Sequence, residues 1–66
     1  MTKIKVGDIV CWNSFYHAFT KDGVVTKRCT KWGEEVSNGR YFCVLLFDTG
    51  TISGPVKIKE INLLTG

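Results

Sequence analysis

At 66 residues the chain can form one compact unit with a single small core and has no room for a second domain. Apolar residues make up 44% of it, with 4 Phe, 2 Trp and 2 Tyr, which argues against intrinsic disorder; nine Lys and Arg against six Asp and Glu leave a net charge of +3 with no basic tail. Such a balance is compatible with nucleic acid or an acidic partner and demands neither. No apolar run approaches a membrane span and Met1-Thr2-Lys3-Ile4-Lys5 is no signal peptide, so a cytoplasmic protein without membrane partners is expected.

Helical periodicity is nearly absent, and short runs rich in Val, Ile, Thr, Cys and aromatics recur between Gly, Asp and Asn clusters, which predicts an all-β fold. A turn at Lys5-Val6-Gly7-Asp8 introduces a first strand over Asp8 to Trp12. Asn13 to Asp22 reads as a loop carrying Phe15, Tyr16, His17 and Phe19, closed by the turn pair Asp22-Gly23. A second strand, from Val24 to about Thr30, is ended by Gly33, and Glu34 to Gly39 reads as a polar hairpin connection ending in Asn-Gly. The third strand, Arg40 to Phe47, is a continuous β-prone run stopped by Asp48-Thr49-Gly50, and Thr51 to Ser53 can pair back onto it. Gly54-Pro55 breaks the ladder; Val56 to Lys59 alternates apolar and charged residues; Glu60 to Leu64 is expected to make a short helical turn and a closing strand. Five short strands in so short a chain predict a small SH3-like barrel, since closure removes edges that the sheet has no other means to protect.

The layout Val6-Gly7-Asp8-Ile9-Val10, Asp22-Gly23-Val24-Val25, Val44 to Gly50, then Val56 and a terminal Ile61-Asn62-Leu63-Leu64 resembles the Tudor and KOW group of SH3-like barrels across residues 1–66. Resemblance to Tudor domains implies an aromatic cage for a methylated cation, with walls from Trp12, Phe15 and Tyr16 and an acidic contact from Asp48. Asp48 to Pro55 lacks the aromatic that the pattern often places there, and the alternative is that Trp12, Phe15 and Phe19 cap the barrel end. Resemblance to KOW modules implies nucleic-acid binding, for which Lys27, Arg28, Lys31 and Arg40, interleaved with Trp32 and Tyr41, are the candidates. Glu34 and Glu35 in the same hairpin oppose phosphate, and four cations beside a turn also fit a plain solvated rim.

Catalytic and metal chemistry find little support. Cys11, Cys29 and Cys43 lack paired spacing and are expected to be buried free thiols; with His17 they match only the count of a Cys3His zinc site, and no orienting group completes a Cys–His nucleophile. Leu45-Leu46-Phe47-Asp48-Thr49-Gly50 is similar to the aspartic-protease signature, whose dyad would require two chains, but the 16 residues after Gly50 leave no room for the brace and flap of that family. Asp48 is therefore read as a turn residue bonding a local amide, and Gly50 as the position of positive φ. The plasmid type of dihydrofolate reductase is another small SH3-like barrel, but its Val-Gln-Ile-Tyr segment has no counterpart in Pro55 to Lys59. No catalytic residue, metal or cofactor is expected.

The third strand is apolar on both faces: Tyr41, Cys43, Leu45 and Phe47 alternate with Phe42, Val44 and Leu46. Assigning the second set to the outer face requires cover by a chain terminus or an interface. The leading expectation is thus a non-enzymatic adaptor or regulator that docks a protein partner, or a second copy, through Phe42, Val44 and Leu46 together with Trp12, Phe15 and Tyr16. Nucleic-acid binding through Lys27, Arg28, Lys31, Trp32 and Arg40 is the alternative. A self-contained chain of this size also suits a phage-encoded protein.

Overall fold

A computed structural model describes residues 4–14 and 19–64 and contains five strands: β1 (Ile9–Ser14), β2 (Phe19–Cys29), β3 (Tyr41–Leu46), β4 (Val56–Lys57) and β5 (Ile61–Leu63). They form one antiparallel sheet in the order β4-β3-β2-β1-β5, with a 3-10 turn, Ile58–Glu60, between β4 and β5. The all-β expectation is met. In a flat sheet the outermost of five strands would stand about 19 Å apart, whereas a three-residue 3-10 turn rises only about 6 Å. The sheet is therefore strongly curved, and its concave face carries the core of Ile4, Val10, Val25, Phe42, Val44, Leu46, Val56 and Ile61, with Trp12 and Leu63 packed against them.

The turn before β1 forms as expected, with Gly7 at φ +97° and the Lys5 amide donating to Asp8 Oδ2 at 3.0 Å. Asp22-Gly23, by contrast, is not a turn. It lies inside β2, an eleven-residue strand that pairs with β1 through Phe19–Val24 and with β3 through Gly23–Cys29. Gly23 is where the two ladders overlap, and a Cβ there would stand 2.5 Å from Val44 Cγ1 and collide with the Leu45 carbonyl. The glycine is demanded by close backbone approach rather than by a turn's positive φ. Residues 15–18, between β1 and β2, lie outside the described residues.

The face assignment of β3 is reversed. Phe42 and Val44 are completely buried and Leu46 nearly so, because Val25 and Gly23, on the concave side of β2, pair with Val44 and Leu46. These three residues are the core and offer no docking surface. The convex row of β3 is Tyr41, Cys43 and Leu45, of which Cys43 is buried. On this face the β2–β3 loop approaches the sheet: Gly33 lies against Pro55, and Lys27, the cross-strand partner of Cys43, donates from Nζ to the Gly33 carbonyl at 3.0 Å.

That loop is not a tight hairpin. Glu35 bridges to Cys29, and the Val36 amide donates to the Arg28 carbonyl, so residues 34–36 run along the edge of β2 that β1 leaves free. After β3 the chain turns through Phe47–Thr49 to Gly50 at φ +70°, whose amide reaches the Leu46 carbonyl at 2.9 Å; Ile52 bridges back to Leu45. Ser53 Oγ accepts from the Val44 amide at 3.0 Å where the ladder breaks before Pro55.

Candidate functional site

The aromatic first loop is only partly in view. Phe15, Tyr16 and His17 lie outside the described residues. Trp12 points to the concave side, meets Phe19 edge to face at a centroid distance of 5.0 Å, and donates from Nε1 to Glu60 Oε1 at 3.3 Å. Asp48 pairs with Lys21 at 3.1 Å instead of bonding an amide of its own turn. The packing of Trp12 and Phe19 is what the core-capping alternative expects, with Trp12 half-buried.

The four candidate cations divide into two pairs. Lys27 is engaged by the Gly33 carbonyl, and Arg28 lies over Phe42, its guanidinium carbon 5.0 Å from the ring centre. Lys31 and Arg40 instead line an open groove of about 420 Å³ with Thr30, Trp32, Asn38 and Tyr41. Trp32 is 81% exposed, an unusual degree for so large an apolar side chain.

Local bonding explains why the indole stays on the surface. Thr30 Oγ1 accepts from the amides of Trp32 and Glu34, both at 3.3 Å; the Gly33 amide returns to the Thr30 carbonyl at 2.9 Å; Lys27 holds the Gly33 carbonyl. The turn is tied at every corner while its largest side chain is left unburied. Lys31 Nζ stands 4.8 Å from the centre of the Trp32 ring, so the indole has a cation beside it. Glu34 and Glu35 are absent from the lining of this groove, and Glu35 borders a different cavity, with Arg28.

Sequence reading missed Lys57. The β3–β4 register pairs it with Tyr41, which places an exposed lysine beside the groove's second aromatic. The alternation of Val56 to Lys59 foretold that Lys57 points away from Val56, but only strand pairing sets it next to Tyr41.

A second surface feature crosses the convex face. Ile9, Val24, Leu45 and Ile52 are successive cross-strand partners, and the Leu64 amide donates to the Ile9 carbonyl, so five aliphatic residues form one row across the sheet. Ile52 is 61% and Leu64 52% exposed, and Phe47, 55% exposed, lies on the same face of β3.

All three thiols are free. Burial and then the carboxylate of Asp22 push Cys11 up; burial and then the neighbouring thiol of Cys43, with Sγ atoms 3.8 Å apart, push Cys29 up. Among the described residues no group of His, Cys, Asp and Glu is placed to hold a metal ion. Comparison with protein-family models, with curated proteins and with solved structures returned no match.

Proposed function

We propose that the chain is a non-catalytic binding module, an SH3-like barrel of the Tudor and KOW kind, that binds single-stranded nucleic acid through the groove of Lys31, Trp32, Arg40 and Tyr41. One observation carries this reading: a hydrogen-bonded turn presents an exposed indole with the Lys31 ammonium against its ring, in a groove that Arg40 also lines. The indole offers a stacking platform for a base, Tyr41 offers a second, and Lys31, Arg40 and Lys57 supply phosphate contacts around them. Glu34 and Glu35, which seemed to oppose phosphate in the linear hairpin, are no part of the groove wall.

Titration with short oligo(dT) and oligo(U) at two salt concentrations, followed by tryptophan fluorescence, tests it. Three phosphate contacts predict a slope of log K against log salt near about −2. Trp32→Ala should weaken binding about tenfold or more while the fold persists. Absence of binding at low salt ends this reading.

A second reading keeps a protein partner and rests on the aliphatic row Leu64, Ile9, Val24, Leu45 and Ile52. Docking there would be nearly insensitive to salt and would be lost in Leu45→Lys. A pull-down that recovers the same proteins with wild type and Leu45→Lys removes it.

A further inference from the structure

Arg28 is part-buried and has no ion-pair partner among the described residues. Its guanidinium carbon stands 5.0 Å over the Phe42 ring centre, and its Nε–H is buried without an acceptor. A buried donor of a charged group left without an acceptor is an unfavourable arrangement that an anion would relieve. The side chain borders a cavity of about 370 Å³ whose wall is otherwise largely apolar, formed by Ile4, Val6, Val36 and Phe42. Lys5, Glu35 and Ser37 complete the lining.

We propose that this cavity is a binding site for an organic monocarboxylate bearing a compact aliphatic group. Each part of that ligand answers a part of the wall. The Phe42 ring lies beneath the Arg28 guanidinium, whose N–H groups can make the paired bonds that suit a carboxylate. Among the described residues of the lining, Lys5 and Arg28 against Glu35 leave one net positive charge, which matches a single negative charge better than a dianion such as phosphate. The aliphatic wall gives the rest of the ligand a place out of water, and the volume lies within the range of small-molecule sites. Of the Trp32 groove's lining, only Val36 is shared, so the two sites are separate.

The experiment is a heteronuclear NMR titration of the whole protein, observing the Arg28 Nε–H and the amides of Val36 and Ser37, with 4-methylpentanoate, its amide, and inorganic phosphate. Saturable shifts with the carboxylate, at least about tenfold weaker with the amide and with phosphate, are expected. Arg28→Gln should abolish them, Lys5→Gln should weaken them, and Trp32→Ala should leave them unchanged. Should Arg28→Gln not fold, the wild-type Nε–H resonance decides alone, because a bound carboxylate must move it. An N-acetylated Gly-Leu dipeptide with a free carboxylate separates the two sources of this chemistry. Tighter binding than the free acid assigns the site to a chain terminus, and weaker binding to a small metabolite. Equal response to acid and amide, or no saturable shift, overturns the proposal.

Discussion

Asp48 and Gly50 show how a short motif divides once its surroundings are known. Gly50 takes φ +70°, the left-handed conformation that side chains resist, whereas Asp48 sits on the same exposed turn and pairs with a half-exposed Lys21. Gly50→Val should therefore lower unfolding free energy by about 1–2 kcal/mol or more in urea denaturation, while Asp48→Asn should lower it by less than about 1 kcal/mol, as exposed ion pairs do. Positive φ at Gly50 was legible in the sequence because a turn after a hydrophobic strand needs it. The partner of Asp48 was not, because Lys21 is distant in the chain and arrives only when β2 folds beside the turn. Gly23 makes the same point: the residue was conspicuous, but its neighbours Val44 and Leu45 come from another strand.

At the scale of elements, the position of β3 was readable and its orientation was not. Alternation of side chains is local, so Tyr41, Cys43 and Leu45 were correctly separated from Phe42 and Val44. Which set faces inward depends on the register with β2, where the bulge between Val25 and Lys27 shifts the pairing by one residue. When both rows are apolar, hydrophobicity carries no information about the side. The β2–β3 loop also defied its sequence pattern. Asn38-Gly39 signals a tight reversal, yet Glu35 and Val36 find hydrogen-bond partners on the vacant edge of β2, and the loop spreads along it. A stability comparison separates the two roles of large aromatics. Phe42→Ala should lose about 3–5 kcal/mol as a core truncation, whereas Trp32→Ala should stay within about 0.5 kcal/mol of wild type. A large loss in Trp32→Ala would mean that the indole supports the fold, and the stacking platform would lose its rationale.

Across the whole molecule, partly and fully buried thiols couple folding to alkaline pH. Cys29 is buried as expected, whereas Cys11 is only partly so; in the folded protein both are raised above the ordinary thiol value, so the folded state holds its protons where the unfolded chain has released them. Their contribution to stability is intact below that value and declines as pH rises through the folded values. Urea midpoints measured from pH 7 upward should fall above about pH 9, and Cys11→Ser with Cys29→Ala should flatten that decline. A midpoint independent of pH there would show that the thiols ionise as readily folded as unfolded. The same tertiary level determines what reaches the surface. Curving the sheet hides one apolar row of β3 and turns the other outward, where Leu45 joins Leu64, Ile9, Val24 and Ile52 from strands spread over the chain.

The sequence by itself determined the all-β class, the approximate positions of β1 and β3, the turns at Gly7 and Gly50 and the free state of the cysteines. Each depends on local conformational preference or composition, which a chain carries wherever it folds. Only the tertiary structure decided which face of β3 is core, that Lys27 is spent within a turn, that Arg28 lies unpaired over Phe42, and that Lys31, Trp32, Arg40, Tyr41 and Lys57 share one surface. These depend on strand register and on the curvature that lets a three-residue connection join the two ends of the sheet. Pairing between distant segments is a property of the folded whole, and no local pattern encodes it.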